Sequence, residues 1–173
     1  MARKKEEKAK SGEKEKAGKE LKITTVHVVT PEKVMENDRQ MALLYIISKL
    51  GPIHEKTLQH IIYDLKEEYG VDLGYKMRKI GSVPYSPELK SDIVALLYVG
   101  FVETEPNMYR KLRVTGKGRD ALEAKKPPAG IVAAVEKNYE ALRNKASMLD
   151  SVQDAEIRRL QRTIQRPRRR PLF

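Results

Sequence analysis

Cysteine is absent from the 173 residues, which excludes disulfides, thiolate metal sites and cysteine nucleophiles together. Tryptophan is also missing and phenylalanine occurs twice, so eight tyrosines supply most of the aromatic surface. No apolar run approaches the ~18 residues needed to span a bilayer, and residues 1–22 have no apolar block of the kind a secretory signal needs. The expectation is a cytoplasmic protein that does not enter a membrane. The three histidines, His27, His54 and His60, fall in separate segments without metal-binding spacing, so no metal or other cofactor is expected. Glycines never form GxGxxG or GxxxxGK, which removes the common nucleotide cradles. Thr115-Gly116-Lys117-Gly118 resembles a phosphate-contacting turn, but a helix start packed on a core explains it better. Glu67 and Glu68 are adjacent, hence not on one helix face, and read as solvated. With so little to build catalysis from, an enzyme is not expected.

Positive charge is what the chain has in excess. The net charge is +11, and its placement matters more than its size. Residues 1–22 hold nine Lys/Arg against five Glu, and residues 156–173 hold seven Arg against one Glu. Most of the excess therefore lies at the two ends, in a basic arm over 1–22 and a basic tail over 166–173 whose prolines stop a helix. Between them, only residues 75–119 are clearly basic, with nine Lys/Arg against four Asp/Glu. Abundant Lys and Glu without Cys matches the bias of heat-adapted proteins.

The chain is organised around residues 86–114. Ser86 is a hydroxyl cap, Pro87 suits a first helical position, and Leu89, Ile93, Leu96 and Leu97 follow at helical spacing up to Gly100. Two short strand-like segments, 101–104 and 109–114, flank a turn at 105–108 and predict a hairpin. Helix then hairpin is the order of a winged helix. Upstream, Asn37 and Asp38 cap a helix carrying Met41, Leu44, Ile47 and Leu50, which Gly51-Pro52 stops. Pro52-Ile53-His54 has the size of one short strand. Leu58, Ile61, Ile62, Leu65 and Tyr69 mark a second amphipathic helix, ended by Gly70, whose outer face carries Asp64, Lys66, Glu67 and Glu68 and is acidic on balance. Residues 71–85 are too long for a tight helix-turn-helix loop; alternation over 75–80, with Tyr75, Met77 and Lys79 on one side, predicts an extra extended segment. Ile23 to Val29 has β-branched strand character.

Gly51-Pro52-Ile53, Thr57-Leu58-Gln59 with Ile61-Ile62-Tyr63, Gly81 to Tyr85 followed by Ser86-Pro87-Glu88-Leu89, and Leu112-Arg113-Val114-Thr115-Gly116-Lys117-Gly118 resemble a set of prokaryotic winged-helix proteins. That set includes the YwgA-like proteins and the antitoxin domain named Panacea. The resemblance spans about residues 40–124 and departs at His60, where the pattern has Lys, and at Gly81-Ser82-Val83-Pro84, where Gly and Pro are normally adjacent. It implies a winged-helix fold and admits an antitoxin-like role.

After Thr115, a helix over 116–124 is expected to pack back on the core, followed by a linker at 125–128. Ile131, Val135, Tyr139 and Leu142 form one apolar stripe, and Ile157, Leu160 and Ile164 a second on a helix over about 150–165. These helices, 129–165, either pair as a hairpin within one chain or form a homodimer or protein-partner surface. The predicted fold is thus mainly α with a small β-hairpin: a winged helix-turn-helix variant over 23–124 with a C-terminal helical extension.

Nucleic-acid binding has the most residues behind it. Lys76, Arg78, Lys79, Lys90, Arg110, Lys111 and Arg113, with Tyr109 beside them, fall on the strand, helix and wing, and Arg166, Arg168, Arg169 and Arg170 follow in the tail. Such residues contact phosphates without reading bases. The helix over 86–99 offers Glu88, Lys90, Ser91, Asp92 and Ala95 as outward positions, so weak sequence reading is expected from it. The sequence therefore points to a winged-helix nucleic-acid-binding protein, DNA ahead of RNA: a DNA-binding transcriptional regulator or chromatin-associated factor, in the cytoplasm with the nucleoid or a ribonucleoprotein, whose wing and basic tails contact the phosphate backbone. The alternative is a protein-interaction module in a ribonucleoprotein, transcription or toxin–antitoxin assembly.

Overall fold

The structure, a computed structural model, describes residues 29–165. The basic arm, residues 23–28 with His27, and Arg166, Arg168, Arg169 and Arg170 lie outside the described residues. The chain is mainly helical, with two small antiparallel hairpins.

Helix α1 (Pro31–Glu36) was not predicted. Thr30 caps it by accepting from the Lys33 N–H, and Pro31 occupies its first turn, where a missing N–H costs nothing. Asn37 ends α1 and starts α2 (Asp38–Leu50), its side-chain oxygen accepting from the N–H groups of Arg39 and Gln40. Met41, Ala42, Leu43, Leu44, Ile46 and Ile47 are all at most 1% exposed. Such burial around most of a helix means that it is enclosed; α1, the helices over 87–98, 116–124, 129–137 and 139–165 and the strand over 112–114 all pack on α2. Gly51, at φ +81°, turns the chain out of α2. Ile53 then pairs with Leu112, each N–H donating to the other's carbonyl at 3.1 and 2.8 Å.

Helix α3 (Glu55–Glu67) buries Leu58, Ile61, Ile62 and Leu65. The extra segment predicted after it is only partly a strand. Residues 68–77 are irregular, Tyr75 is buried, and pairing starts with β1 (Arg78–Ile80) against β2 (Val83–Tyr85), around a two-residue turn at Gly81-Ser82. Gly81 holds φ +65°, which the first position of such a turn requires. All three β1 residues are exposed, so the expected burial alternation stops at Tyr75 and the half-buried Met77, and Lys79 faces solvent.

Helix α4 (Pro87–Tyr98) begins as predicted: Ser86 Oγ accepts from the Leu89 N–H, and Gln59 of α3 accepts from the Ser86 N–H at 3.1 Å. Gly100, at φ +78°, ends it. β3 (Val102–Thr104) and β4 (Leu112–Val114) pair with Val102 opposite Val114. Thr115 caps α5 (Gly116–Ala124), its hydroxyl accepting from the Gly118 N–H and donating to the Gly100 carbonyl. A Cβ on Gly118 would overlap the Phe101 carbonyl oxygen, so packing of α5 on the β3 strand start requires glycine there.

The C-terminal part corrects the predicted arrangement. Residues 125–128 hold close to the body, Lys125 reaching Asp38 at 2.8 Å. Helix α6 (Ala129–Lys137) ends at Asn138, and α7 (Tyr139–Gln165) runs unbroken for 27 residues, about 40 Å at ~1.5 Å per residue. The helix expected to start near residue 150 is therefore continuous with the residues before it, and the two helices within 129–165 are α6 and α7. Val135 and Leu142, assigned to a partner or dimer surface, are 0% and 1% exposed and belong with Ala146 to the chain's own core. Ile131 packs against that core and Tyr139 is half-buried. Ile157 is half-buried, whereas Leu160 and Ile164 are exposed. Among the described residues, no helix is long and apolar enough to cross a membrane.

Candidate nucleic-acid interface

The residues expected to contact phosphate fall into two groups. The first lies on the loop and strand after β3. Asn107 shapes that loop, its side-chain oxygen accepting from the N–H groups of Tyr109 and Arg110, and Arg110 takes the left-handed conformation at φ +51°. Arg113 pairs with Glu103 directly across the ladder at 2.6 Å. Lys111 turns inward: its ammonium lies 3.3 Å from Asp150 and 3.1 Å from Asp154 of α7. Burial works to lower the Lys111 pKa, but the two carboxylates outweigh it and the net shift is upward. The carboxylates thus neutralise the charge the sequence offered to phosphate. Tyr109 is also engaged, accepting from Arg158 Nε at 2.6 Å. Of this group, Arg110 alone is exposed with a side chain that has no partner among the described residues.

Asp150 and Asp154 fix more than Lys111. One turn apart on one face of α7, they also hold the start of α3: Asp150 accepts from the His54 N–H at 3.3 Å, and Asp154 Oδ1 lies 2.7 Å from His54 Nε2. Burial tends to raise the Asp154 pKa, but His54 and Lys111 pull it below the usual carboxylate range. Five residues before Asp150, Lys145 sits between Asp64 at 2.8 Å and Glu68 at 3.1 Å. Asp64, expected on a solvated acidic face, is 6% exposed and serves as the α3 anchor for α7.

The second group lies on the β1–β2 hairpin and α4. Lys76, Arg78, Lys79 and Lys90 are all exposed. Lys79 lies over the Tyr63 ring, 4.8 Å from its centroid, and Lys76 faces Glu88. Arg78 and Lys90 have no partner among the described residues. The outward face of α4 differs from the expected one. Asp92 points inward at 4% exposure and accepts from Arg39 Nε at 2.7 Å, Gln40 Nε2 at 2.8 Å and the Tyr75 hydroxyl at 3.0 Å. Its carboxylate binds α2, the irregular segment and α4 together; burial and the nearby Asp92 charge raise the Tyr75 pKa far above its ordinary value. Ala95 is half-buried. In their place, Val94 and Tyr98 are 55% and 61% exposed. Lys90, Val94 and Tyr98 recur every four residues and form one line on α4, with Ser91 beside Lys90. The sequence held that spacing, but the apolar character of Val94 and Tyr98 hid it.

Among the described residues, no three or more His, Cys, Asp or Glu side chains are placed to hold a metal ion. In comparisons with protein-family models, curated proteins and solved structures, nothing matches the chain.

Proposed function

We propose that this chain is a winged-helix protein that binds duplex nucleic acid, DNA ahead of RNA, through α4 and the β1–β2 hairpin. The reading is supported by the element order α2, Ile53 bridge, α3, β1, β2, α4, β3, β4, which is that of a winged helix with a hairpin inserted before α4; the bridge joins β4 and the β3–β4 loop is the wing. The observation that carries it is the outward line of α4. With Asp92 turned inward, the line presents Lys90, Ser91, Val94 and Tyr98, and Arg78, opposite Tyr85 just before α4, has no carboxylate partner among the described residues. A hydroxyl, a cation and an apolar side chain suit a groove: the cation and hydroxyl take phosphate oxygens, and the valine methyls suit a thymine methyl. The basic arm and tail add sequence-independent attraction. Titrating a mixed-sequence DNA duplex with the full chain and with Arg78→Ala/Lys90→Ala tests this, because each lost phosphate contact lowers the salt slope by about 0.9.

A second reading, protein contact, is favoured by the end of α7. Leu160 and Ile164, one turn apart on one side of the helix, are 64% and 82% exposed and offer an apolar contact to a partner. A concentration-dependent mass in sedimentation equilibrium would support a homodimer through this face, and a constant monomer mass would remove it.

A further inference from the structure

The α4 reading leaves one charged surface without a role. Past Asp154, which makes the last acidic contact of α7 with the body, the helix carries Arg158, Arg159 and Arg162 against a single carboxylate, Glu156. At 100° per residue these arginines share one sector of the helix about 100° wide, whereas Leu160 and Ile164 project from a different side. All three are exposed, and none has an acidic partner among the described residues. Arg158 is nonetheless fixed in place. Its Nε donates to the Tyr109 hydroxyl at 2.6 Å, and its guanidinium lies 5.5 Å from the centroid of that ring. A neutral phenol orients the guanidinium without cancelling its charge. This contact brings the arginine sector of α7 to the wing loop, where Arg110 is held by the Asn107 turn and is itself unpaired.

We propose that the wing tip and this turn of α7 form one phosphate-binding ridge, made of Arg110, Arg158, Arg159 and Arg162, that grips the nucleic-acid backbone beside the α4 face. The proposal rests on the nucleic-acid reading. It gives the wing a different chemistry from the one its sequence suggests: Lys111 and Arg113 pair with carboxylates, Arg110 alone of the wing cations meets phosphate, and the other three come from a helix more than forty residues away. Guanidinium suits this role because its planar fork bonds phosphate oxygens in pairs and stays charged at every physiological pH. Tyr109 is a positioning residue in this arrangement, and Asp150 and Asp154 hold the helix at the angle that presents its arginines.

The test uses the full chain and a fluorescent mixed-sequence DNA duplex, with affinity recorded at several salt concentrations for wild type, Arg159→Ala/Arg162→Ala and Arg159→Lys/Arg162→Lys. Both positions are exposed and alanine favours helix, so the folded state is retained, which circular dichroism and the melting midpoint verify. The alanine pair is expected to lower the salt slope by about 1.8, at about 0.9 per contact, and the lysine pair to restore most of it. A full slope in the alanine pair overturns the ridge while leaving α4 as the site. Loss of slope there, with none in Arg78→Ala/Lys90→Ala, supports the ridge and removes α4. Absence of salt-dependent binding by wild type overturns both.

Discussion

Leu142→Ala decides whether the first turns of α7 belong to the fold or to an interface with another molecule. Leu142 is 1% exposed and lies on the stretch of α7 packed against α2 and α3. Truncation removes three buried carbons, about 2.4 kcal/mol at ~0.8 kcal/mol each. The cavity left behind adds to this, because the surrounding helices close it only in part; about 3 kcal/mol in total is expected. Urea unfolding, followed by far-ultraviolet circular dichroism, reads the loss as a shift in midpoint. With a slope of about 2 kcal/mol per molar, the midpoint should fall by about 1.5 M. The shift should be the same at two protein concentrations tenfold apart, because the contacts lie within one chain. Leu160→Ala, at a site 64% exposed, should move stability by no more than about 0.5 kcal/mol. A midpoint for Leu142→Ala within about 0.2 M of wild type, or a loss that grows on dilution, would refute the placement of α7 on its own core.

Three further outcomes follow from the same contacts. Gly118→Ala should cost about 2 kcal/mol or more, read by thermal unfolding, because its Cβ meets the Phe101 carbonyl and lies 2.8 Å from Val114; an unchanged melting midpoint would mean that α5 does not press on β3. Asp92→Asn should cost about 2–3 kcal/mol, because Arg39 loses its counter-charge and an amide cannot accept from three donors at once; a loss below about 0.5 kcal/mol would deny Asp92 its place at the junction of α2 and α4. The Asp154 pKa is depressed in the folded state, so its stabilisation is present above the ordinary carboxylate value of about 3.9 and lost as pH falls through the lower folded value. The melting difference between wild type and Asp154→Asn should therefore narrow below about pH 4, and a gap that stays constant to pH 2 would contradict the contacts of Asp154 with His54 and Lys111.

Local signals carried through to the structure, and signals that depend on distant partners did not. Asn37, Ser86 and Thr115 cap their helices as read, because a cap needs only its own next three residues. Helix α1 carried the same signal in Thr30-Pro31-Glu32, but it is short and follows β-branched residues that suggested a strand. Asp92 broke the rule that carboxylates face water; the Arg39, Gln40 and Tyr75 groups that offset its burial lie 17 to 53 residues away. The stripe Ile131, Val135, Leu142 was legible as buried, but nothing local named what buries it. Residues 143–149 contain no glycine or proline, and α7 runs through them where a break was expected. The cationic site suffered most. Lys111 and Arg113 looked equivalent to Arg110 along the chain, and only the folded arrangement shows which of them carboxylates neutralise.

The most direct test of the nucleic-acid reading is the salt dependence of duplex binding by the full chain against that of Arg78→Ala/Lys90→Ala. The reading predicts a slope lower by about 1.8 in the variant, at about 0.9 per lost contact, and roughly eightfold weaker binding per contact at 0.1 M salt if the two proteins converge at 1 M. Equal slopes for the two proteins would contradict it and leave the outward face of α4 without a part in binding.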